Sequence, residues 1–127
     1  MRKIMLMLST LLAVMFTTVL TTPPAGAEAA PPPRLGACAT GELCFWAKAD
    51  FQGARQTREL SGTEIGSCVP LAPGTTAQSL ANRTGRNVTT YQSVECEETG
   101  EFETYPGKGT WVPGSPYRVR AFKLWER

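Results

Sequence analysis

Cys44–Gly53 reads CFWAKADFQG, and the fold is decided by how this stretch is read. Leu43, Cys44, Phe45, Trp46 and Ala47 make an apolar run that is too short for a helix and rich in aromatic side chains. That is the composition of a buried strand. Phe51 comes six residues after Phe45, and Gly53 two residues after Phe51. Aromatic, five residues, aromatic, one residue, glycine is the spacing of a folded hairpin. Phe51 closes back over the strand, while Gly53 supplies a backbone conformation that a side chain would obstruct. A weaker strand running to Leu60 completes the unit.

Toward the N-terminus, Met1-Arg2-Lys3 is basic, Ile4 to Leu20 is almost wholly apolar, and Ala25-Gly26-Ala27 has the small-x-small pattern of a processing site. These features predict a secretory signal peptide over residues 1–27. The apolar run approaches spanning length, but Pro23 and Pro24 follow it and no basic stop-transfer cluster does. Without a twin-arginine pair, the general secretory route is the simpler expectation. Glu28 to Ala37 contains Pro31-Pro32-Pro33 and reads as a proline-rich spacer. The ordered domain is expected over residues 38–127.

Removing the leader takes away all four methionines together with Arg2 and Lys3, so 13 basic residues become 11 against 11 acidic ones. A formally neutral mature chain gives no electrostatic case for nucleic acid or an anionic membrane surface. The exported form is expected to act off the membrane, as a monomer. Its length suits one domain with a modest core.

Cys38, Cys44, Cys68 and Cys96 are the only cysteines. An even count in a small exported domain points to two disulfides, with three possible pairings. Zinc is disfavoured because the chain has no His and no CxxC pair. Gly41 suits a tight turn between Cys38 and Cys44, so these two are paired locally, which leaves Cys68 with Cys96.

From Cys38 onward, ten glycines and five prolines break the chain into intervals mostly too short for helices. Candidate strands are Leu43–Ala47, Arg55–Leu60, Ser79–Arg83, Arg86–Ser93, a short one near Phe102–Tyr105, and Tyr117–Trp125. Short strands with turn signals between them suggest an all-β sandwich. In the last strand Tyr117, Val119 and Ala121 share one face, whereas Phe122 and Leu124 fall on the other. A bulge or a strand covered on both faces would explain the switch. Val88–Tyr91, followed by a hairpin ending at Phe102 and Tyr105-Pro106-Gly107, is a divergent echo of the first half.

The Phe45, Phe51 and Gly53 spacing resembles the Greek-key motif of the βγ-crystallin family. With its cysteine frame and C-terminal half, the chain from Cys38 to Trp125 resembles the secreted microbial peptidase inhibitors whose type member acts on thermolysin-like metalloproteinases. The resemblance implies a single-domain, βγ-crystallin-like Greek-key β-sandwich with two disulfides. Many βγ-crystallin domains bind calcium, through a motif opening on two Asn/Asp residues and closing on Ser/Thr-Ser. The nearest segment here, Thr75–Leu80, lacks both leading residues and has Leu80 in place of the last serine. Calcium needs six to eight oxygens, normally including carboxylates, so no metal and no cofactor is expected.

The same resemblance places a reactive bond between a disulfide-bonded cysteine and a valine, which Cys68-Val69 matches. Gly66-Ser67-Cys68-Val69-Pro70-Leu71 would then be an exposed, substrate-like loop. The disulfide would restrain it and Pro70 would fix one torsion. Val69 would enter an apolar pocket of a zinc endopeptidase, the expected partner, and the zinc would belong to the target.

An enzyme is not expected. Without His, no Ser-His or Cys-His nucleophile pair can form. The Glu-rich run ECEETGEFE, residues 95–103, reads as a solvated acidic turn rather than a glycosidase carboxylate pair. The alternative class is a secreted βγ-crystallin-type binding or toxin module acting on cell envelope or carbohydrate. Asn82-Arg83-Thr84 and Asn87-Val88-Thr89 match the N-glycosylation sequon.

Overall fold

The computed structural model describes residues 35–127, and before them Thr18 alone. The expected leader, Thr18 apart, and residues 28–34 of the spacer lie outside the described residues. Among the described residues, no helix is long and apolar enough to cross a membrane. The described residues are almost all β, with eight strands among them in chain order: β1 Glu42–Lys48, β2 Gln52–Glu59, β3 Val69–Pro70, β4 Ser79–Asn82, β5 Val88–Tyr91, β6 Phe102–Tyr105, β7 Thr110–Val112 and β8 Ala121–Leu124. One 3-10 turn, Leu60–Gly62, follows β2.

Strands β2-β1-β4-β7 form one four-stranded sheet and β3-β8-β5-β6 the other, with every pairing antiparallel. Matching β1 to β5, β2 to β6, β4 to β8 and β7 to β3 turns one order into the other. Residues 42–124 thus form two similar halves, and the third strand of each half is exchanged into the sheet of the other. This arrangement is consistent with Greek-key connections. The registers agree: Trp46 opposes Arg55 where Tyr91 opposes Phe102, and Phe45 opposes Leu80 where Thr90 opposes Phe122.

Side chains alternate across each strand, which sorts the apolar residues into an interior and two outer clusters. Leu43, Phe45, Leu80, Val88, Val119, Phe122 and Leu124 fill the space between the sheets. Phe45 and Phe122 meet there with ring centroids 5.3 Å apart. The outer face of the first sheet carries Cys38, Cys44, Trp46, Phe51 and Ala81, with Trp111 packed against them. The outer face of the second carries Tyr91, Cys96 and Ala121, with Cys68 against them.

Both disulfides join the pairs expected from the sequence, Cys38–Cys44 and Cys68–Cys96. With separations of 6 and 28 residues, the chain-entropy model gives them about 2 and about 3.5 kcal/mol of stabilisation. For one small domain, that is a large share of net stability.

The sequence expects six strands, and the described residues hold eight. The extra ones, β3 and β7, are the exchanged strands, only two and three residues long. Neither is long enough to display a period, and each depends on a partner from the other half. The expected strand Tyr117–Trp125 shortens to Ala121–Leu124 because the chain bulges at its start. Arg120 N–H donates to Tyr91 O at 2.9 Å while Ala121 pairs with Tyr91, so two residues oppose one. Val119 points into the interior and Ala121 lies outside, which accounts for the break in alternation.

Candidate functional site

Cys68 and Val69 lie where the chain joins the second sheet at its edge. Gly66, at φ 76°, donates its N–H to Leu124 O at 2.7 Å. Val69 then pairs with Phe122 and Pro70 with Ala121, and Leu71 N–H donates to Arg120 O at 2.8 Å. In an antiparallel ladder alternate residues turn both backbone groups toward the partner strand. Leu71 and Val69 therefore face β8, and the backbone groups of Cys68 and Pro70 face the open edge. Proline loses nothing at such a place, since its missing N–H would have pointed outward.

The side chains follow the opposite rule. Val69 is half-buried and packs against the interior cluster, while Cys68 joins the outer cluster of Tyr91, Cys96 and Ala121. Cys68 Sγ lies 3.7 Å from Val94 O, in the β5–β6 connection. Residues 68–70 are thus gripped twice, by β8 along one side and through Cys96 on the outer face. The sequence reads this segment as an exposed loop. In the structure Val69 begins a strand, because the exchange between halves brings β8 alongside it.

Val69-Pro70 also has a counterpart that the sequence reading passed over. In the first sheet Val112 opposes Leu80, as Val69 opposes Phe122 in the second, and Pro113 follows Val112 as Pro70 follows Val69. The visible signal was a repeated Val-Pro, once after Cys68 and once after Trp111. What breaks the likeness is the residue before it: an aromatic in one half and a disulfide-bonded cysteine in the other.

The hairpin residues divide between two faces. Phe51 is buried, its ring 5.1 Å from Trp46 and 5.5 Å from Trp111. It closes over Trp46, while Phe45 turns to the interior. Gly53 sits at φ 82°, where an added Cβ would lie 3.2 Å from Lys48 Cγ. The buried Ser79 hydroxyl locks the hairpin, accepting from Phe51 N–H at 3.0 Å and donating to Lys48 O at 2.6 Å. In the segment compared with a calcium motif, this hydroxyl already has both partners.

The Asn82 side chain is also consumed. Fully buried, it donates to Arg86 O at 2.8 Å and Tyr105 O at 3.1 Å, and accepts from the Thr84 hydroxyl at 2.7 Å. Of the two sequon asparagines, only Asn87 is exposed. Glu95, Glu97, Glu98, Glu101 and Glu103 are all exposed, as a solvated acidic turn should be. Burial, and then the charge of Glu98, raise the Tyr91 hydroxyl above the ordinary tyrosine range.

The family model described as peptidase inhibitor family I36 matches residues 31–104, more than half of the chain. The chain belongs to peptidase inhibitor family I36. No curated protein and no solved structure matches it. The I36 match takes in both disulfides, the Cys44–Gly53 hairpin and β3, and ends within β6. Membership of family I36 makes the chain a peptidase inhibitor rather than an enzyme, and makes a protease its partner.

Proposed function

We propose that the chain is exported and inhibits a thermolysin-like metalloendopeptidase, with Cys68–Val69 as the reactive bond. The observation that carries this reading is the position of residues 68–70 on an open sheet edge, clamped by the Cys68–Cys96 disulfide. A protease binds its substrate extended. A segment already held extended loses little ordering entropy on docking, and an edge strand offers unpaired backbone groups to a new neighbour. The Cys68 carbonyl, facing away from β8, is the atom that would meet the target's zinc. Val69, half-buried beside Phe122, would supply the apolar anchor with the part of its side chain left open. Two disulfides and a leader-like N-terminus favour action outside the cell.

The test is titration of the mature protein against thermolysin, with subtilisin as control. Near-stoichiometric loss of thermolysin activity is expected; inhibition of subtilisin alone would sink the metalloproteinase reading. Val69→Thr keeps the side-chain shape but puts a hydroxyl into an apolar pocket. Inhibition should weaken by at least about tenfold, or roughly 1.4 kcal/mol. Val112→Thr makes the same change at the matching place in the other half and should leave inhibition as it was. Equal inhibition by parent and both variants would show that the reactive bond lies elsewhere.

A further inference from the structure

The turn closed by Cys38–Cys44, the β4–β5 turn and the β6–β7 turn meet around a hollow of about 430 Å³. Among the described residues that line it, Arg83 and Lys108 are charged and none is acidic. The three turns are fastened to one another. Gly41 N–H donates to Arg83 O at 2.8 Å, and Gly85 N–H donates to Gly107 O at 3.1 Å. Gly107 lies so close to the β4–β5 turn that an added Cβ would strike the Arg86 backbone. Beneath, the buried Asn82 amide and the Thr84 hydroxyl hold that turn in place. The hollow is therefore shaped before anything enters it.

Arg83 has only its side chain to offer there. Its N–H donates to Glu42 O at 2.9 Å and its O accepts from Gly41. The half-buried guanidinium donates to Cys38 O at 2.6 Å, which anchors it and leaves its other N–H groups for a ligand. Lys108 is exposed. Its backbone N–H and that of Gly109, at φ 72°, have no partner among the described residues. Free N–H groups in a turn, set beside cations, make an anion-binding concavity. The fold itself does not need the lysine. Leu60-Ser61-Gly62 after β2 closes with the Thr63 hydroxyl donating to Glu59 O at 2.7 Å. Gly107-Lys108-Gly109 after β6 closes the same way, with the Thr110 hydroxyl donating to Pro106 O at 2.6 Å. Lys108 thus stands where the other half has Ser61.

We infer that this hollow is a binding site for a tetrahedral oxyanion, a phosphate or sulfate group. Arg83 and Lys108 supply the opposite charge, and charge-assisted hydrogen bonds to such oxygens are the strong ones. Donors come from three separate turns: the Arg83 guanidinium, the Lys108 ammonium with the neighbouring N–H groups, and the exposed Thr40 hydroxyl. That spread suits oxygens pointing in several directions better than the two coplanar oxygens of a carboxylate. A formally neutral mature chain can hold such a site because its charges are sorted. Five of its 11 acidic residues crowd residues 95–103, away from the hollow's lining. The inference does not depend on the inhibitory reading or on the Cys68–Val69 bond.

The experiment titrates the mature protein with sodium phosphate and with sodium sulfate, against sodium chloride at the same ionic strength, and follows the backbone amides by NMR. Saturating shifts are expected at Gly41, Gly85, Lys108 and Gly109 with both oxyanions, and none with chloride. Lys108→Gln should weaken binding at least about tenfold, and Lys108→Arg should keep it. Lys123→Gln removes a cation that lies over the Tyr91 and Trp125 rings instead, and should bind as the parent does. Arg83→Gln should abolish binding; if that variant does not fold, the two Lys108 variants decide. Shifts that grow without saturating, shifts that chloride reproduces, or parent-like binding by Lys108→Gln would overturn the inference. Polyphosphate is the second arm. Tighter binding than that of inorganic phosphate assigns the site to a chain-borne group, and equal or weaker binding assigns it to the free ion.

Discussion

Val69 and Val112 occupy the same place in the two halves of the molecule. Each sits in an exchanged strand, precedes a proline, opposes a buried residue of the last strand of the other half, and packs half-buried against the shared interior. Whatever Val69 does toward a protease, it also closes one sheet, and Val112 closes the other.

Val69→Ala and Val112→Ala should therefore cost similar amounts, about 1–2 kcal/mol each. Val69→Asp should cost more, because it sets a charge against Phe122. Urea unfolding of the three variants checks this. A Val69→Ala protein as stable as the parent would mean that β3 contributes nothing to the fold.

Gly107→Ala should be severely destabilising, by about 3 kcal/mol or more, because an added Cβ would run into the backbone of Gly85 and Arg86. Gly62→Ala is the matching control: nothing lies within 4 Å of its added Cβ, and its melting temperature should stay with the parent's.

Ser79→Ala removes the hydroxyl that joins Phe51 N–H to Lys48 O. Leaving a buried donor and a carbonyl unpartnered should cost about 1–3 kcal/mol. Chemical denaturation gives the cost. Amide exchange at Phe51 should quicken more than exchange in β5.

Stability should change little with pH around neutrality on account of imidazole, since the chain has no His, and should fall in alkali. Burial, and then Tyr117 and Glu103, push the Tyr105 hydroxyl up from 10.0 to about 12. Burial also leads the upward shifts of Tyr117 and Tyr91. A raised folded-state pKa means that the unfolded chain ionises first. The contribution is thus whole below about pH 10 and is lost as pH rises toward about 12. Melting temperatures across that range should drop as tyrosinate absorbance grows. A flat profile would contradict the burial of Tyr105.

Much of this was legible in the residues. Apolar Leu43–Ala47, Phe51 and Gly53 mark the first hairpin because a local spacing carries a local structure. Gly41 between two nearby cysteines indicated their pairing, and the other pair followed. What could not be read is whatever depends on the exchange between halves. Val-Pro looks like loop until a strand from the other half lies beside it, so neither β3 nor β7 has a signal of its own and residues 66–71 read as an exposed loop. Asn82-Arg83-Thr84 reads as a surface sequon, yet its amide lies buried among carbonyls that come from β6 and the turn after β4.

The exchange of β3 and β7 also bears on what a cut would do. Severing the bond between Cys68 and Val69 would leave β1 and β2 on one fragment and the other six strands on the second. Yet β1 would still be zipped to β4 along four paired residues, and Cys68 would still be bonded to Cys96. The pieces would be joined by two independent clasps, one covalent and one woven. A nicked molecule would keep its shape and migrate as a single species until it was both reduced and unfolded. The new chain ends would stay close enough for the bond to be remade.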